Sequence, residues 1–290
     1  MLGWLLLPMI AGAGAAWRMI AARRIERDYD RRNVRAVDGT VAGAEPFLFM
    51  GTNGRALLLL HGSGDSPQSL RYLGERLNAA GYTVLAPLLP GHGRSPRDFA
   101  RVSASAYTAA AHVALDDLRG HHEWVGVGGL SMGGALAAQL AVDATDVRVL
   151  LLLAPYLAAT PQVAWATRTA PLWGLVQPYL GARGERSVHD PAARTANYAY
   201  GVVAPNALHA LLETARRGRA ALEKIAVPTL VIHSRADNRI PDAVATATMA
   251  TLRAPTERHW VTGCGHIITV DYCKDVVADL VLAFLARHSD

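Results

Sequence analysis

Lysine is almost missing from this chain. Of 29 basic side chains only Lys224 and Lys274 are lysine, and the rest are arginine. With the abundant alanine, this reflects the codon usage of a GC-rich genome. The net charge of +5 is thinly spread except near the N-terminus. No basic run is interleaved with aromatics, which excludes a nucleic-acid surface. Cysteine occurs twice, as Cys264 and Cys273. Two cysteines provide neither a disulfide framework nor metal-ligand spacing, so no metal and no organic cofactor is expected, and Cys264 reads as a small buried side chain. Internal repeats and low-complexity tracts are absent. At 290 residues and 51% hydrophobic, the chain can bury one large core with a small appendage.

What is present is organised around Val125-Gly-Val-Gly-Gly129-Leu-Ser131-Met-Gly133-Gly134. Gly129-x-Ser131-x-Gly133 is a nucleophile-elbow pattern, in which a strand ends, the backbone turns sharply and a helix begins. The serine at such a turn holds its hydroxyl above the sheet, and glycine two residues to either side leaves room for the turn. The flanks agree: Trp124–Val127 reads as a buried strand, and Ala135–Val142 is rich in helix formers. A dinucleotide-binding loop fails, because Ser131 stands where the third glycine of G-x-G-x-x-G belongs.

Strands are expected at 46–50, 56–60, 82–86, 147–153, 229–234 and 257–261. Helices are expected at 70–80, 104–118, 241–252 and 275–286. This alternation predicts an α/β protein with a mostly parallel, doubly wound sheet. Between Pro155 and Val227 the alternation lapses. Prolines, aromatics such as Trp165 and Trp173, and helical stretches such as 207–215 point to a helical cap inserted at about 155–227, and its apolar content suggests a lipophilic acyl group.

A serine hydroxyl needs a base to remove its proton, and the base needs a third group to orient it. On an elbow fold these follow in the order nucleophile, acid, histidine, each in a loop after a strand. Asp237 follows the strand ending at Ser234, and His266 follows the strand ending at Val261 within Gly263-Cys-Gly-His-Ile. Asp242 opens a helix after Pro241 and reads as an N-terminal charge. His259 lies inside a strand, and His61 and His92 precede the nucleophile. The oxyanion of an acyl intermediate needs two backbone amides. Met132 supplies one at the start of the elbow helix, and the His61-Gly62-Ser63 turn supplies the other through Ser63.

With Leu-Leu-Leu-His61-Gly62, Pro90-Gly-His-Gly93, Gly129-Leu-Ser131-Met-Gly133, Asp237 before Ile240-Pro241, and Gly265-His266-Ile-Ile-Thr-Val-Asp271, the chain resembles α/β-hydrolases over about residues 50–288. Within them it is similar to bacterial carboxylesterases and monoacylglycerol lipases. The resemblance implies the α/β-hydrolase fold, catalytic Ser131, Asp237 and His266, oxyanion amides of Ser63 and Met132, and a serine esterase cleaving carboxylic esters of lipophilic acyl groups through an acyl-enzyme. That branch usually carries an aromatic after His-Gly, where Ser63 stands here. The same triad also serves thioesterases and acyltransferases, and a binding module that kept the fold without turnover is the alternative of another class.

The N-terminal segment 1–36 is separate from the hydrolase domain, 37–290. Leu2–Trp17 is uncharged but broken by Pro8, and Arg18, Arg23, Arg24, Arg27, Arg31, Arg32 and Arg35 follow. A cleavable signal peptide carries its charges before the apolar run. A span needs ~20 apolar residues, close to what Leu2–Ala22 offers. Residues 1–35 are therefore expected to contact a membrane, with the arginine flank and the hydrolase domain on the cytoplasmic side. The other reading is a helix packed on the domain, leaving the protein soluble in the cytoplasm.

Overall fold

The structure is a computed structural model that describes residues 3–181, 187–196 and 198–288, with backbone alone for 3–11. Seven strands form the main sheet: β1 (Phe47–Phe49), β2 (Arg55–Leu60), β3 (Thr83–Ala86), β4 (Trp124–Leu130), β5 (Val147–Leu153), β8 (Thr229–Ser234) and β9 (Thr256–Val261). Between β5 and β8, the two-residue strands β6 (Leu180–Gly181) and β7 (Val202–Val203) pair only with each other. The main sheet runs in the order β1-β3-β2-β4-β5-β8-β9, parallel throughout except for β1, which pairs antiparallel with β3.

The central strands are rich in apolar residues because both faces are covered. β4 and β8 are buried along their whole length. Successive side chains of a strand go to opposite faces. Leu58 and Leu60 of β2 accordingly enter one core, while Leu57 and Leu59 enter the other. The first core is closed by α4 (Ala104–Arg119), α5 (Met132–Asp143), α9 (Pro205–Ala221) and α10 (Asp242–Met249). The second is closed by α2 (Gln68–Ala79) and α11 (Lys274–Arg287). In α2 the buried positions Leu70, Leu73, Gly74 and Leu77 follow the three-and-four spacing of one helix face. In α5 ten residues are buried, all but Gln139 of them apolar, as befits an element held inside the molecule. Each leucine withdrawn from water in these cores contributes about 1.5–3 kcal/mol.

Residues 155–227 carry α6 (Pro161–Arg168), α7 (Ala170–Trp173), β6, α8 (Pro191–Ala196), β7 and α9. The expected cap also takes in residues 182–186 and 197, which lie outside the described residues. The short α3 (Pro96–Phe99) was not foreseen from the sequence. Ser95 caps it, exchanging hydrogen bonds with Asp98 in a capping box.

The long helix α1 spans Gly3–Arg32. Among the described residues no helix is long and apolar enough to cross a membrane, which corrects the expectation of a near-minimal span. Arginines from position 18 onward interrupt the run. The C-terminal half of α1 is instead spent on the body of the protein. Tyr29 is buried and stacks on Tyr200 at 5.4 Å, with Ile25 and Ala22 packed beside the same aromatic cluster. Glu26 accepts hydrogen bonds from Tyr179 Oη (2.9 Å) and Arg97 (3.0 Å), and Arg18 Nε donates to Gly174 O (2.8 Å).

Candidate active site

β4 ends at Leu130 and α5 begins at Met132, so Ser131 alone makes the turn. It adopts φ 55°, ψ −117°, a conformation that costs on the order of 1–3 kcal/mol in an L-residue. The surroundings hold it there: the Ser131 amide donates to Leu153 O (3.0 Å), and its carbonyl accepts from Tyr156 N (2.9 Å) and Gly134 N (3.0 Å). A Cβ on Gly129 would stand 2.1 Å from the Gly133 carbonyl carbon, and one on Gly133 would stand 1.9 Å from Leu60 O. Both glycines are therefore required by backbone contact across the turn.

Above this turn the Ser131 hydroxyl donates to His266 Nε2 at 2.9 Å. His266 Nδ1 donates to Asp237 Oδ2 at 2.7 Å. The other oxygen, Asp237 Oδ1, accepts the amides of Arg239 (2.7 Å) and Ile240 (2.9 Å). Both side chains are almost withdrawn from solvent, at 8% for His266 and 1% for Asp237. Burial alone would raise the Asp237 pKa. The His266 charge, its hydrogen bond and the two amides outweigh that, so the carboxylate is held below its ordinary range. Asp242 lies apart, paired with Arg235 at 2.7 Å at the start of α10. His259 lies on β9 beside Glu257.

His61 and His92, set aside as bases in the sequence, are both buried beneath the turn after β2. His61 Nε2 accepts from Leu89 N (3.0 Å), so Nδ1 carries the proton and donates to Gly62 O (2.9 Å). His92 Nε2 accepts from Gly64 N (2.9 Å) and Nδ1 donates to Pro90 O (3.1 Å). Burial keeps both rings neutral, pushing His92 down to about 4 and His61 lower than the usual histidine range. Together they fasten residues 61–64, so the Ser63 amide is presented by a turn that cannot shift freely. Ser63 and Ser131 share one cavity wall.

The His266 loop has its own supports. Asp271, fully buried, accepts the amides of Gly265 (2.7 Å), His189 (2.8 Å), Asp190 (2.9 Å) and Tyr272 (2.9 Å). Ser234 Oγ donates to Cys264 O. Cys264 and Cys273 form a disulfide, with Cα atoms 5.8 Å apart, that closes the loop carrying His266. Cys264 is buried, as the sequence reading had it, and the bridge corrects the expectation that the two cysteines provide no disulfide. Two cysteines that make no framework across a fold can still staple one short loop, and only the folded loop brings them together.

Ser131, His266 and Ser63 open onto a cavity of about 430 Å³. Its wall is mainly aliphatic, from Val163, Val188, Val202, Val203, Leu208 and Leu211. Trp165 and Trp173 do not line it. Trp165 is 68% exposed and Trp173 Nε1 is bonded to Ala166 O, so the two tryptophans stay off the cavity, whereas Tyr156 and Tyr200 of the same segment line it. The cavity also holds a residue that the sequence reading missed, Asp65. It is buried, its Oδ1 has no hydrogen-bond partner, and burial raises its pKa to about 6. Nearby donors, Ser69 and the amides of Ser66 and Gly62, and the His266 charge draw it only part of the way back. The signal available was an acidic residue in a turn of small residues directly after His61-Gly62. No group of three histidine, cysteine or carboxylate side chains arranged for a metal occurs among the described residues.

Comparison with known proteins gives concordant results. Residues 52–272 match the family described as serine aminopeptidase, S33. The chain is 30% identical over 254 residues to a thermostable monoacylglycerol lipase of Bacillus sp. (strain H-257), covering 86% of this chain and 97% of that one. It is 24% identical over 249 residues to a carboxylesterase of Bacillus subtilis (strain 168), covering 85% and 98%. A solved structure from work on LipS and LipT, two metagenome-derived lipolytic enzymes, superposes with a TM-score of 0.78 at 29% identity over 85% of this chain and 99% of that one. A monoacylglycerol lipase of Paleococcus ferrophilus shares the fold, with a TM-score of 0.73 at 20% identity over 84% of this chain and 98% of that one.

Proposed function

The chain belongs to the serine aminopeptidase, S33 family of α/β-hydrolases, and from that premise we propose that it cleaves carboxylic esters of lipophilic acyl groups, as a monoacylglycerol lipase or carboxylesterase does. It is a serine ester hydrolase. Ser131 attacks the acyl carbonyl while His266 Nε2 takes the hydroxyl proton. Asp237 holds the imidazole in the right tautomer and stabilises its charged form. The amides of Ser63 and Met132 receive the oxyanion, where fixed dipoles in a dry site stabilise developing charge more than water does. His266 then protonates the departing alcohol, and water, activated by the same base, releases the acid from the acyl-enzyme. The observation that carries this reading is the unbroken path Ser131 Oγ, His266 Nε2, His266 Nδ1, Asp237 Oδ2 at the wall of an aliphatic cavity. Such a cavity is of a size and polarity that suit an acyl chain. Hydrolysis of octanoyl esters, together with covalent labelling of Ser131 by a fluorophosphonate, tests the reading. A protein that neither hydrolyses such esters nor reacts with the probe is not this enzyme.

The segment 155–227 acts in this reading as the cap that sets acyl preference, and its apolar outer face together with α1 rests on a lipid surface. The support is a set of exposed apolar side chains on two elements: Trp17 and Ile20 on α1, and Trp165, Leu172 and Leu175 on and after the cap helices. The bond from Arg18 to Gly174 ties these two elements together. Apolar side chains on a helix that also carries many arginines are suited to the headgroup boundary, where the helix lies in the plane and does not cross. Co-sedimentation of the full chain with anionic vesicles tests this contact. Equal recovery of the protein in the supernatant with and without vesicles would end it.

A further inference from the structure

Two guanidinium groups, those of Arg194 and Arg239, line the catalytic cavity. Among the described residues neither is paired with a carboxylate. Each is anchored by one edge. Arg239 Nε donates to Ser187 Oγ (2.9 Å), and Arg194 donates from Nε to Val188 O (3.0 Å) and from Nη2 to His189 O (2.8 Å). A solvated arginine swings freely, but these two are tied to one segment, 187–189, with further N–H groups of each planar fork unspent. Burial pushes the hydroxyl of Tyr156, in the cavity wall, up to about 12, and the Arg239 charge offsets part of that. The Arg239 guanidinium therefore acts on the cavity as well as on solvent.

Their place tells which half of the ester they meet. Ser187 O accepts the amide of Ile267 (3.0 Å), the residue after His266, and a Cβ on Gly265, the residue before it, would stand 2.5 Å from the same oxygen. Arg239 lies next but one to Asp237, and its backbone amide donates to the carboxylate that holds His266. Both arginines thus stand on the histidine side of the site. His266 has to deliver a proton to the departing oxygen, so the alcohol half leaves on that side. The acyl half has the aliphatic wall of Leu208 and Leu211, where an anion would lose its water without gaining a donor. Nearby acids do not quench the pair, because Asp237 is committed to His266 and Asp271 to backbone amides.

We propose that Arg239 and Arg194 form an anion subsite for the alcohol half, selecting esters whose alcohol carries a carboxylate or a phosphate over neutral esters of the same size. This rests on the ester-hydrolase reading of the same site. A guanidinium fork donates two parallel hydrogen bonds to either anion, and such charge-assisted bonds are roughly twice as strong as neutral ones. The contact is made in the bound ester before any bond breaks, so it is read in KM together with kcat/KM.

The test measures kcat/KM on the full chain for two matched pairs. One is 4-(octanoyloxy)butanoate against 4-(octanoyloxy)butanamide, and the other is 2-(octanoyloxy)ethyl phosphate against its dimethyl ester. In the wild type the anionic member of at least one pair is favoured by about ten-fold or more, the size of one hydrogen bond to a charged group, with the lower KM. The pair that responds tells carboxylate from phosphate. Arg239→Met and Arg194→Met each lower that ratio, and Arg239→Lys, which keeps the charge and loses the fork, falls between. Salt at about 1 M lowers it too, by screening. Fluorophosphonate labelling of Ser131 reports which variants are folded. If Arg194→Met fails to label, Arg239→Met, which gives up only the side-chain bond to Ser187, carries the test. Cleavage of p-nitrophenyl octanoate without a preference for either anion overturns the subsite alone, as does an unchanged ratio in labelled Arg239→Met. A wild type that cleaves none of these esters overturns the ester-hydrolase reading, and the subsite with it.

Discussion

Asp271 accepts the backbone N–H of Gly265 at 2.7 Å, one residue before His266, and the same oxygen accepts the N–H of His189 at 2.8 Å. One carboxylate thereby ties the loop that carries the base to the segment that forms a wall of the cavity. Burial raises the Asp271 pKa, but the amides of His189, Gly265, Asp190 and Tyr272 outweigh it, and the net direction is downward. A carboxyl whose folded pKa lies below its unfolded value of 3.8 contributes stability that is present above about pH 4 and is lost as pH falls through the folded value. Asp271→Asn puts an N–H where an oxygen now accepts, leaving at least one amide pair opposed. It should lower stability at pH 7 by about 3 kcal/mol and reduce kcat along with it. Chemical denaturation at pH 7 checks the first, and an unchanged midpoint would remove Asp271 from this role.

Ser131→Ala and His266→Ala should each lower kcat on an octanoyl ester by about 10⁴–10⁶, leaving what the oxyanion amides and binding supply. Asp237→Asn should cost about 10⁴, since an amide favours the wrong imidazole tautomer. Thermal unfolding should stay close to wild type for His266→Ala. Near-normal turnover in Ser131→Ala, measured on protein free of wild type, would end the proposed mechanism.

Much of this frame was legible in the chain because its signals are local. β2, β4, β5 and β8 carry apolar runs at 56–60, 124–130, 149–153 and 230–232, which a sheet covered on both faces calls for. Gly129 and Gly133 announce the elbow because a side chain at either would strike backbone. Loop order then nominated Asp237 and His266, and the structure places His266 within hydrogen-bond distance of both Asp237 and Ser131. What escaped depends on which faces meet. Asp65 in a turn of glycine and serine reads as solvated until the cavity is seen to close over it. Trp165 and Trp173 are aromatic enough to suggest a pocket wall, yet they do not line it, and the inner face is made by aliphatic side chains with Phe99, Tyr156 and Tyr200. The Arg-rich half of α1 reads as a membrane flank. In the structure Tyr29 and Glu26, both in that half, are what dock it on Tyr200, Tyr179 and Arg97.

Asp65 gives a stability prediction of the opposite sign to Asp271. Its pKa is raised from 3.8 to about 6 on folding. The stability tied to this group is fully present below pH 3.8 and lost as pH rises through about 6, a difference of about 3 kcal/mol by pH 7. Asp65→Asn does not titrate. It should therefore raise Tm by several degrees at pH 8 and leave it nearly unchanged at pH 4. A lower Tm at pH 8 would mean that Asp65 supports the fold.

The Cys264–Cys273 bridge spans nine positions and encloses His266. Closing a loop of this length stabilises by about 2–3 kcal/mol through the unfolded chain. Thiol titration of the unfolded, unreduced protein should find no free cysteine. Reduction, or Cys273→Ser, should lower Tm and also slow turnover, because His266 loses one of the constraints that hold Nε2 against Ser131. Two free thiols in the native protein would contradict the bridge.

The cavity wall makes a prediction that separates inner from outer cap residues. Leu208 on α9 and Val202 on β7 face the space beside Ser131, whereas Trp165 is exposed on the outside. Adding a ring at the wall takes volume from the part of the cavity where an acyl chain lies. A shift of one or two methylenes in such a pocket is worth about 10–200-fold in discrimination. Leu208→Phe and Val202→Phe should therefore lower kcat/KM for decanoyl relative to butyryl p-nitrophenyl esters by about ten-fold or more. Trp165→Ala should leave that ratio within two-fold, because it removes nothing from the wall. A ranking that moves with Trp165 and ignores Leu208 and Val202 would place the acyl chain elsewhere, and the aliphatic cavity would lose its role as the acyl site.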